Sequence, residues 1–319
     1  MKTPQTLEQR AGWKSLPVPI KKRRIGDSRQ DIIFNIIVSI VGIIILLCVL
    51  LPLMHVVSAS FSSPNAVTSG RVGIFPVEPG IGAYIAIFEY ATIWRAYLNT
   101  VIYTTVGTIF SVTMTILAGY PLSRDDFGMR KFYTVLFIFT MLFSGGLIPF
   151  YLVVLQLGMI NTFWAMIIPW GVSVWNIIIT RTFFRQTVSG ELLDASRIDG
   201  CSDFSFVLRI VLPLSGAIIA VNVLFYAVGR WNSFFDALLF LRDADRMPLQ
   251  IVLRRILIQN QVSGQMTAFM GAAGEAELAR FRELIKYAVI VVASAPVLAL
   301  YPFVQKYFVK GLMIGSVKG

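Results

Sequence analysis

The chain has 319 residues, 56% hydrophobic and 14% charged, with a mean hydropathy of +0.73 and a formal net charge of +11. An ordinary soluble domain carries about 25% charged residues, so a water-soluble globule of this length is excluded and an integral membrane protein is expected. A membrane helix takes about 20 apolar residues, so six of them use about 120 and leave about 200 for loops and tails, too few for a large soluble catalytic domain beside a full bundle.

The first 31 residues form a polar, basic tail, with Lys21, Lys22, Arg23 and Arg24 in a row. Ile32 to Val57 is then apolar apart from Asn35, Ser39 and His55. That run exceeds a signal-peptide core of about 7–15 residues and is expected to be span one, uncleaved. Further spans are expected at Leu98 to Leu122, Phe132 to Val154, Thr162 to Phe184, Pro213 to Leu241 and Leu284 to Phe303. The expected fold is therefore all-α, with a six-span membrane domain over 32–303 and a tail over 304–319. Cys48 sits in an apolar run and Cys201 in a polar loop, so no disulfide framework is expected. The single histidine, His55, excludes a His-rich metal site.

In such a chain, basic residues set topology rather than mark nucleic-acid binding. Lys2, Arg10, Lys14, Lys21, Lys22, Arg23, Arg24 and Arg29 crowd the N-terminal tail, while the loop after span three, Leu155 to Asn161, holds no Lys or Arg. The loops after spans two and four carry Arg124, Arg130, Lys131, Arg185, Arg197 and Arg209; the C-terminal tail carries Lys306, Lys310 and Lys318. Both tails and the even-numbered loops are therefore expected in the cytoplasm. The fifth loop dissents, because Arg242, Arg246, Arg254, Arg255, Arg280 and Arg282 then lie outside. The basic tail and the alternation of the other loops outweigh it.

Two outer segments are long. Residues 58–97 contain Pro64, Pro76 and Pro79, which suits ordered turns, with a short helix expected from Ala83 to Tyr90. Residues 242–283 contain a helical stretch from Glu275 to Glu283 with Leu278 and Phe281 on one face. Each is either a docking surface or a solvated loop.

The loop 185–213 holds the most specific signals. Ser189 can cap a short helix, Glu191 and Asp194 suit its positive end, Arg197 lies near its far end, and Gly200 stands where a left-handed cap is expected. Ser202 can cap a second helix, apolar at Phe204, Leu208 and Leu212, after which Pro213 is expected to open span five. Leu192, Leu193, Ala195 and Ile198 give the first helix an apolar surface, which can dock into a groove on a soluble partner or lie on the bilayer.

Here the sequence resembles the permease subunits of binding-protein-dependent ABC importers. Their cytoplasmic motif reads Glu-Ala-Ala, three residues, Gly, nine residues, Ile-x-Leu-Pro. This chain has Asp194-Ala195-Ser196, then Gly200, then Ile210, Val211, Leu212 and Pro213 at the same spacing, with Asp194 for Glu and Ser196 for the second Ala. Phe143-Ser-Gly-Gly-Leu-Ile-Pro149, Gly158-Met-Ile-Asn-Thr-Phe-Trp164, Trp231 through Asp236, Pro248-Leu-Gln250 and Tyr301 through Gly311 resemble the sugar-importing (maltose-type, multiple-sugar) branch. The resemblance implies a type I importer bundle of MetI-like fold in the bacterial cytoplasmic membrane. It implies a heterodimer with a second permease, two cytoplasmic ATPase subunits, an external sugar-binding protein and an oligosaccharide or polysaccharide fragment as substrate. It implies coupling to the ATPases through Glu191, Asp194, Ala195, Ser196, Asp199, Gly200, Ile210, Leu212 and Pro213. No Gly-x-x-x-x-Gly-Lys-Ser/Thr loop occurs. Hence ATP and Mg belong to partner subunits, and no cofactor and no enzymatic activity are expected of this chain. The alternatives are a secondary, ion-coupled transporter and a membrane scaffold that transports nothing.

Span five carries Arg230 and Asp236, and ionisable groups inside a span usually face the bundle interior or a wet cavity. Asn232 and Asp236 are four apart and expected on one helical face, with Trp231 and Phe235 on the next. Sugars offer hydroxyls for hydrogen bonds and C–H faces for aromatic stacking, so these four, with Trp170, Trp175 and Asn176 of span four, are the expected substrate pathway. Equally, Trp231 suits an interfacial aromatic belt and Arg230 can snorkel to head groups. Ser144, Gly145 and Gly146 in span three fit a kink or close helix packing.

Overall fold

The computed structural model describes residues 28–89, 91–259, 280, 282–299 and 302, and among these every regular element is helical. The basic tail, most of the stretch from Glu275 to Glu283 and the C-terminal tail lie outside the described residues. The chain divides into two compact units, Met1–Leu51 and Pro52–Gly319, and the packing described below lies within the second.

Helix α1 (Arg29–Ser60) opens with a reciprocal cap: Gln30 N–H donates to Ser28 Oγ at 3.1 Å, and Ser28 N–H donates to Asp31 Oδ2 at 3.0 Å. Its 32 residues reach about 48 Å and are apolar all round, the pattern of a membrane span. Short helices α2 (Pro64–Thr68) and α3 (Gly82–Glu89) follow, so the helix expected at 83–90 is present. The turn between them is held by Glu78, which accepts from Ser63 Oγ at 2.6 Å and pairs with Arg71 at 3.3 Å.

Helix α4 (Ala91–Ser123) is the post around which the second unit packs, against α7 and α11 below. Over its middle, Thr100, Thr104, Gly107, Thr108, Ser111, Thr115 and Gly119 are buried, beside Tyr103 and Val112, while Leu98, Ile102, Ile109 and Leu117 are exposed. That inversion is what a lipid-solvated bundle requires: small residues let backbones approach, and the large apolar side chains face outward.

The third expected span is broken. Helices α5 (Arg130–Leu142) and α6 (Leu147–Gln156) meet at 115°, across the Phe143–Gly146 stretch where Gly146 takes φ +86°. The fourth is α-helical only in its second half, as α7 (Val174–Thr187), about 21 Å long; its first half holds a short 3-10 turn (Phe163–Met166) and otherwise irregular backbone. The fifth starts later than expected. After α8 (Gly190–Ile198) comes one continuous helix from Asp203 to Leu214, consisting of α9 (Asp203–Phe206), a π turn (Val207–Val211) and α10 (Leu212–Leu214). Pro213 thus ends that helix instead of opening the span. It offers no N–H, and its ring crowds the carbonyl of Arg209 four residues back, which favours the wider π turn. An 83° bend at Ser215 leads into α11 (Gly216–Trp231). Helices α12 (Phe235–Phe240), α13 (Leu249–Gln259) and α14 (282–299) complete the described chain. Among the described residues, two helices, Arg29–Ser60 and Ala91–Ser123, are each long and apolar enough to cross a membrane; the two bent pairs qualify only as joined segments.

Candidate functional site

The hairpin over 185–213 is built from local signals. Ser189 Oγ accepts from the Leu192 N–H at 3.4 Å and starts α8; Ser202 Oγ accepts from the Ser205 N–H at 3.3 Å and starts α9. Gly200, at φ +74°, closes α8: Cys201 N–H reaches back to the Ser196 carbonyl at 2.9 Å and Asp199 N–H to that of Ala195 at 3.1 Å. Ser196 is buried and turns its hydroxyl onto the Leu193 carbonyl at 2.7 Å, so a small residue lets α8 lie close. The apolar side of the second arm, Phe206 and Val211, joins Tyr120, Phe184 and Ile218 in one core cluster, with Leu193 packed against it. The hairpin is thereby fastened to the ends of α4, α7 and α11.

The opposite side of α8 is open. Glu191, Leu192, Asp194, Ala195, Asp199 and Gly200 are exposed, and Ile198 is 87% exposed. Ile210 and Leu212 are half-buried on the second arm, and Pro213 is exposed. An outward face of three carboxylates, Glu191, Asp194 and Asp199, around Leu192 and Ile198 is a short amphipathic surface with no covering element among the described residues.

Four charged side chains tie this hairpin to the turn after α4. Arg124 donates to Asp126 at 2.5 Å and to Asp203 at 3.0 Å, and Arg197 donates to Asp126 at 3.0 Å. The Arg124 side chain is only 14% exposed, donates to Tyr120 Oη at 3.2 Å and lies over the Tyr120 ring. Hydrogen bonds from Arg124, then from Arg197, hold the Asp126 carboxyl well below the ordinary carboxylate range; the bond to Asp126 drives the Arg124 guanidinium above its usual value. Beside it, Arg130 and then Arg185 lower Asp125. Sequence reasoning counted Arg124, Arg130 and Arg185 as topology markers and Arg197 also as a helix-end charge, and paired none of them. The signal available was the dense alternation of sign over 124–131, which does not name partners about seventy residues away.

Inside the bundle, the polar groups of α4 and α11 meet the first half of span four, which holds no α-helix. Tyr226 Oη bonds Thr115 Oγ1 at 2.7 Å and accepts from the Ser173 N–H at 3.0 Å. Asn222 Nδ2 donates to Thr180 at 2.7 Å. The half-buried Arg230 turns toward the bundle. It donates to the carbonyls of Met166 (2.7 Å) and Ile167 (3.0 Å) and to Ser111 Oγ (2.8 Å). A Cβ on Gly107 would come within 2.6 Å of that guanidinium, so the glycine forms its slot. Asn161, at φ +60°, accepts from the N–H groups of Arg242 and Asp243 at 3.1 Å each and pins the turn before span four to the end of α12.

The expected pathway residues are only partly brought together. Helix α11 ends at Trp231 and α12 starts at Phe235, so Asn232 and Asp236 do not share a helical face. Trp231 is 5% exposed, donates Nε1–H to the Ala293 carbonyl at 3.0 Å and meets Tyr97 edge-on at 5.7 Å. Asn176 is 4% exposed and belongs to the core. Trp170 and Trp175 are exposed, with Phe150 tilted against Trp170 at 4.7 Å. Phe235 is exposed and Asp236 half-buried. A cavity of about 750 Å³ opens where Trp231, Asn232 and Phe234 face Gln250 and Arg254 of α13 and Ser294 of α14. Its walls are mostly apolar, and Arg254 lies 5.6 Å over the Phe234 ring. Sequence reasoning missed Gln250 and Arg254 because they sit beyond span five.

No protein-family model matches the sequence. Among curated proteins it is similar to the polygalacturonan/rhamnogalacturonan transport system permease protein YtcP of Bacillus subtilis (strain 168), 43% identical over 274 residues, which cover 86% of this chain and 94% of that one. It is 42% identical over 270 residues to protein LplC of the same organism, covering 85% and 90%. Among solved structures it is similar to a bacterial ABC transporter involved in the import of the acidic polysaccharide alginate, with a TM-score of 0.81 and 32% identity over 88% of this chain and 99% of that one.

Proposed function

This chain belongs to the permease subunits of carbohydrate ABC importers, and we propose that it carries fragments of an acidic polysaccharide inward across the bacterial cytoplasmic membrane. The observation that carries this reading is the capped hairpin of α8 and α9, fastened to the bundle on one side and open on the other. Two relatives named for acidic polysaccharides support the substrate class. So do the basic residues of the 242–255 segment, of which Arg254 lines the cavity.

In this reading the membrane domain has six spans, the third and fifth bent and the fourth half unwound. Irregular backbone at membrane depth is tolerated where it is buried in protein or lines a wet cavity, which suits residues 157–173. Both termini face the cytoplasm, by the distribution of Lys and Arg. A second permease completes the cavity; lipid and that partner cover the exposed apolar side chains of α1. Two ATPase subunits bind ATP and Mg, and one grips α8 through Glu191, Asp194, Leu192 and Ile198. Closure of the ATPases moves the hairpin and switches the cavity between inward and outward access. An external binding protein delivers the sugar, which passes Trp170, Trp175, Phe235 and Asp236, with Asn232 and Trp231 at the cavity of Gln250 and Arg254.

Purification from the native membrane tests this. ATPase subunits and a second permease should co-purify, and proteoliposomes holding the complex should take up short uronate oligosaccharides only with ATP and the binding protein. Ion-gradient-driven uptake without ATPases would overturn the proposal.

A further inference from the structure

The lever α8 is poorly connected to the bundle along the chain. On one side it follows Val188 and Ser189, outside any helix; on the other it passes the Gly200 elbow, a π turn and the 83° bend at Ser215. A displacement sent along that path meets a soft joint at each of these points. The ionic cluster bypasses them. Arg197 lies in the last turn of α8 and Asp203 in the first turn of α9, on either side of the elbow. Both converge on the turn that directly follows α4: Asp126 receives Arg197 and Arg124, and Asp203 receives Arg124. Arg124 is itself packed on Tyr120, within α4. Two cations and two anions close a loop of contacts with no net charge, and α4 is the helix against which α7 and α11 pack.

We propose that Arg124, Asp126, Arg197 and Asp203 form a second coupling link, an ionic clasp that makes the lever and α4 move as one body. Asp126, Arg197 and Asp203 are roughly half exposed, so their pairs contribute only modest stability, and the clasp acts as a positioning device: it decides where the displacement of α8 goes. This rests on the reading that an ATPase subunit grips α8.

The test uses the whole complex in proteoliposomes, with sugar uptake and binding-protein-stimulated ATP hydrolysis measured together. Asp126→Arg sets three arginines against Asp203 and should lower the sugar moved per ATP by about fivefold or more, with ATP hydrolysis retained. Asp126→Glu, which keeps a carboxylate acceptor for both Arg124 and Arg197, should hold the ratio within about twofold of wild type. Asp126→Ala, which cannot overcrowd the turn, should lower the ratio in the same direction. A wild-type ratio in Asp126→Arg or Asp126→Ala, or a loss in Asp126→Glu as large as in Asp126→Ala, overturns the clasp alone. Failure of ATPase subunits to associate with the wild-type chain overturns the gripping of α8 and the clasp with it.

Discussion

Single residues carry two kinds of constraint here. At Gly200 the constraint is conformational: φ is +74°, yet nothing lies within 4 Å of where a Cβ would stand. A β-branched residue is strained there by about 1–2 kcal/mol, whereas asparagine tolerates the left-handed region. Gly200→Val should therefore lose sugar uptake while the complex still assembles and hydrolyses ATP; Gly200→Asn should retain most uptake in the same assay. At Gly107 the constraint is volume, since Arg230 fills the space. Gly107→Leu should prevent assembly. Arg230→Met leaves the carbonyls of Met166 and Ile167 without their donor and should cost about 2–4 kcal/mol, read as a lower unfolding midpoint in detergent. An unchanged midpoint would remove Arg230 from its role as the pin of the unwound half of span four.

At the scale of elements, the hairpin is held both by an apolar seam and by charge. The apolar seam, Phe206 and Val211 against Phe184, is indifferent to pH. The charge contacts are not. The Asp126 carboxyl is held low by Arg124 and Arg197, with Asp203, Asp125 and Tyr120 as the other nearby ionisable groups. A depressed carboxylate contributes its full stabilisation above the unfolded value, about pH 4, and loses it only as pH falls toward the folded value. The difference in unfolding midpoint between wild type and Asp126→Asn should therefore stay constant from pH 8 to about pH 5 and shrink below about pH 4. A difference that already vanished at pH 6 would place the clasp's strength elsewhere. The same scale explains Pro213: it ends the hairpin's second arm, and the bend at Ser215 lets α11 leave in a new direction.

For the whole molecule, the question is what crosses it. The family fixes the transport class, and carboxylated sugars are the substrate proposed above. Arg254 and Gln250 put one cation and one amide beside the aromatic wall of the 750 Å³ cavity. Arg254→Gln should lower uptake of a uronate oligosaccharide several-fold more than uptake of any neutral oligosaccharide the binding protein accepts. Equal losses for both would detach Arg254 from charge recognition. The apolar walls also mean that the cavity alone solvates a charged sugar poorly, which agrees with a pathway completed by a second subunit.

Much of this was legible in the chain itself. Hydropathy marked the membrane class, and the caps at Ser189 and Ser202 and the turn at Gly200 fell where short-range rules put them, because each depends on residues within one helical turn. Hydropathy also located α1 and α4, since length and apolar content are properties of a window. What the tertiary structure alone decided was direction and partnership. The unwound half of span four arises where a distant side chain takes up the backbone's carbonyls, as Arg230 does for Met166 and Ile167; the kink at Phe143–Gly146 was announced by Ser144, Gly145 and Gly146, but its 115° angle was not. The clasp joins positions 124 and 203, and Trp231 answers to Ala293. Contacts of that separation have no periodicity, so they leave no trace in sequence pattern and exist only once the helices have packed.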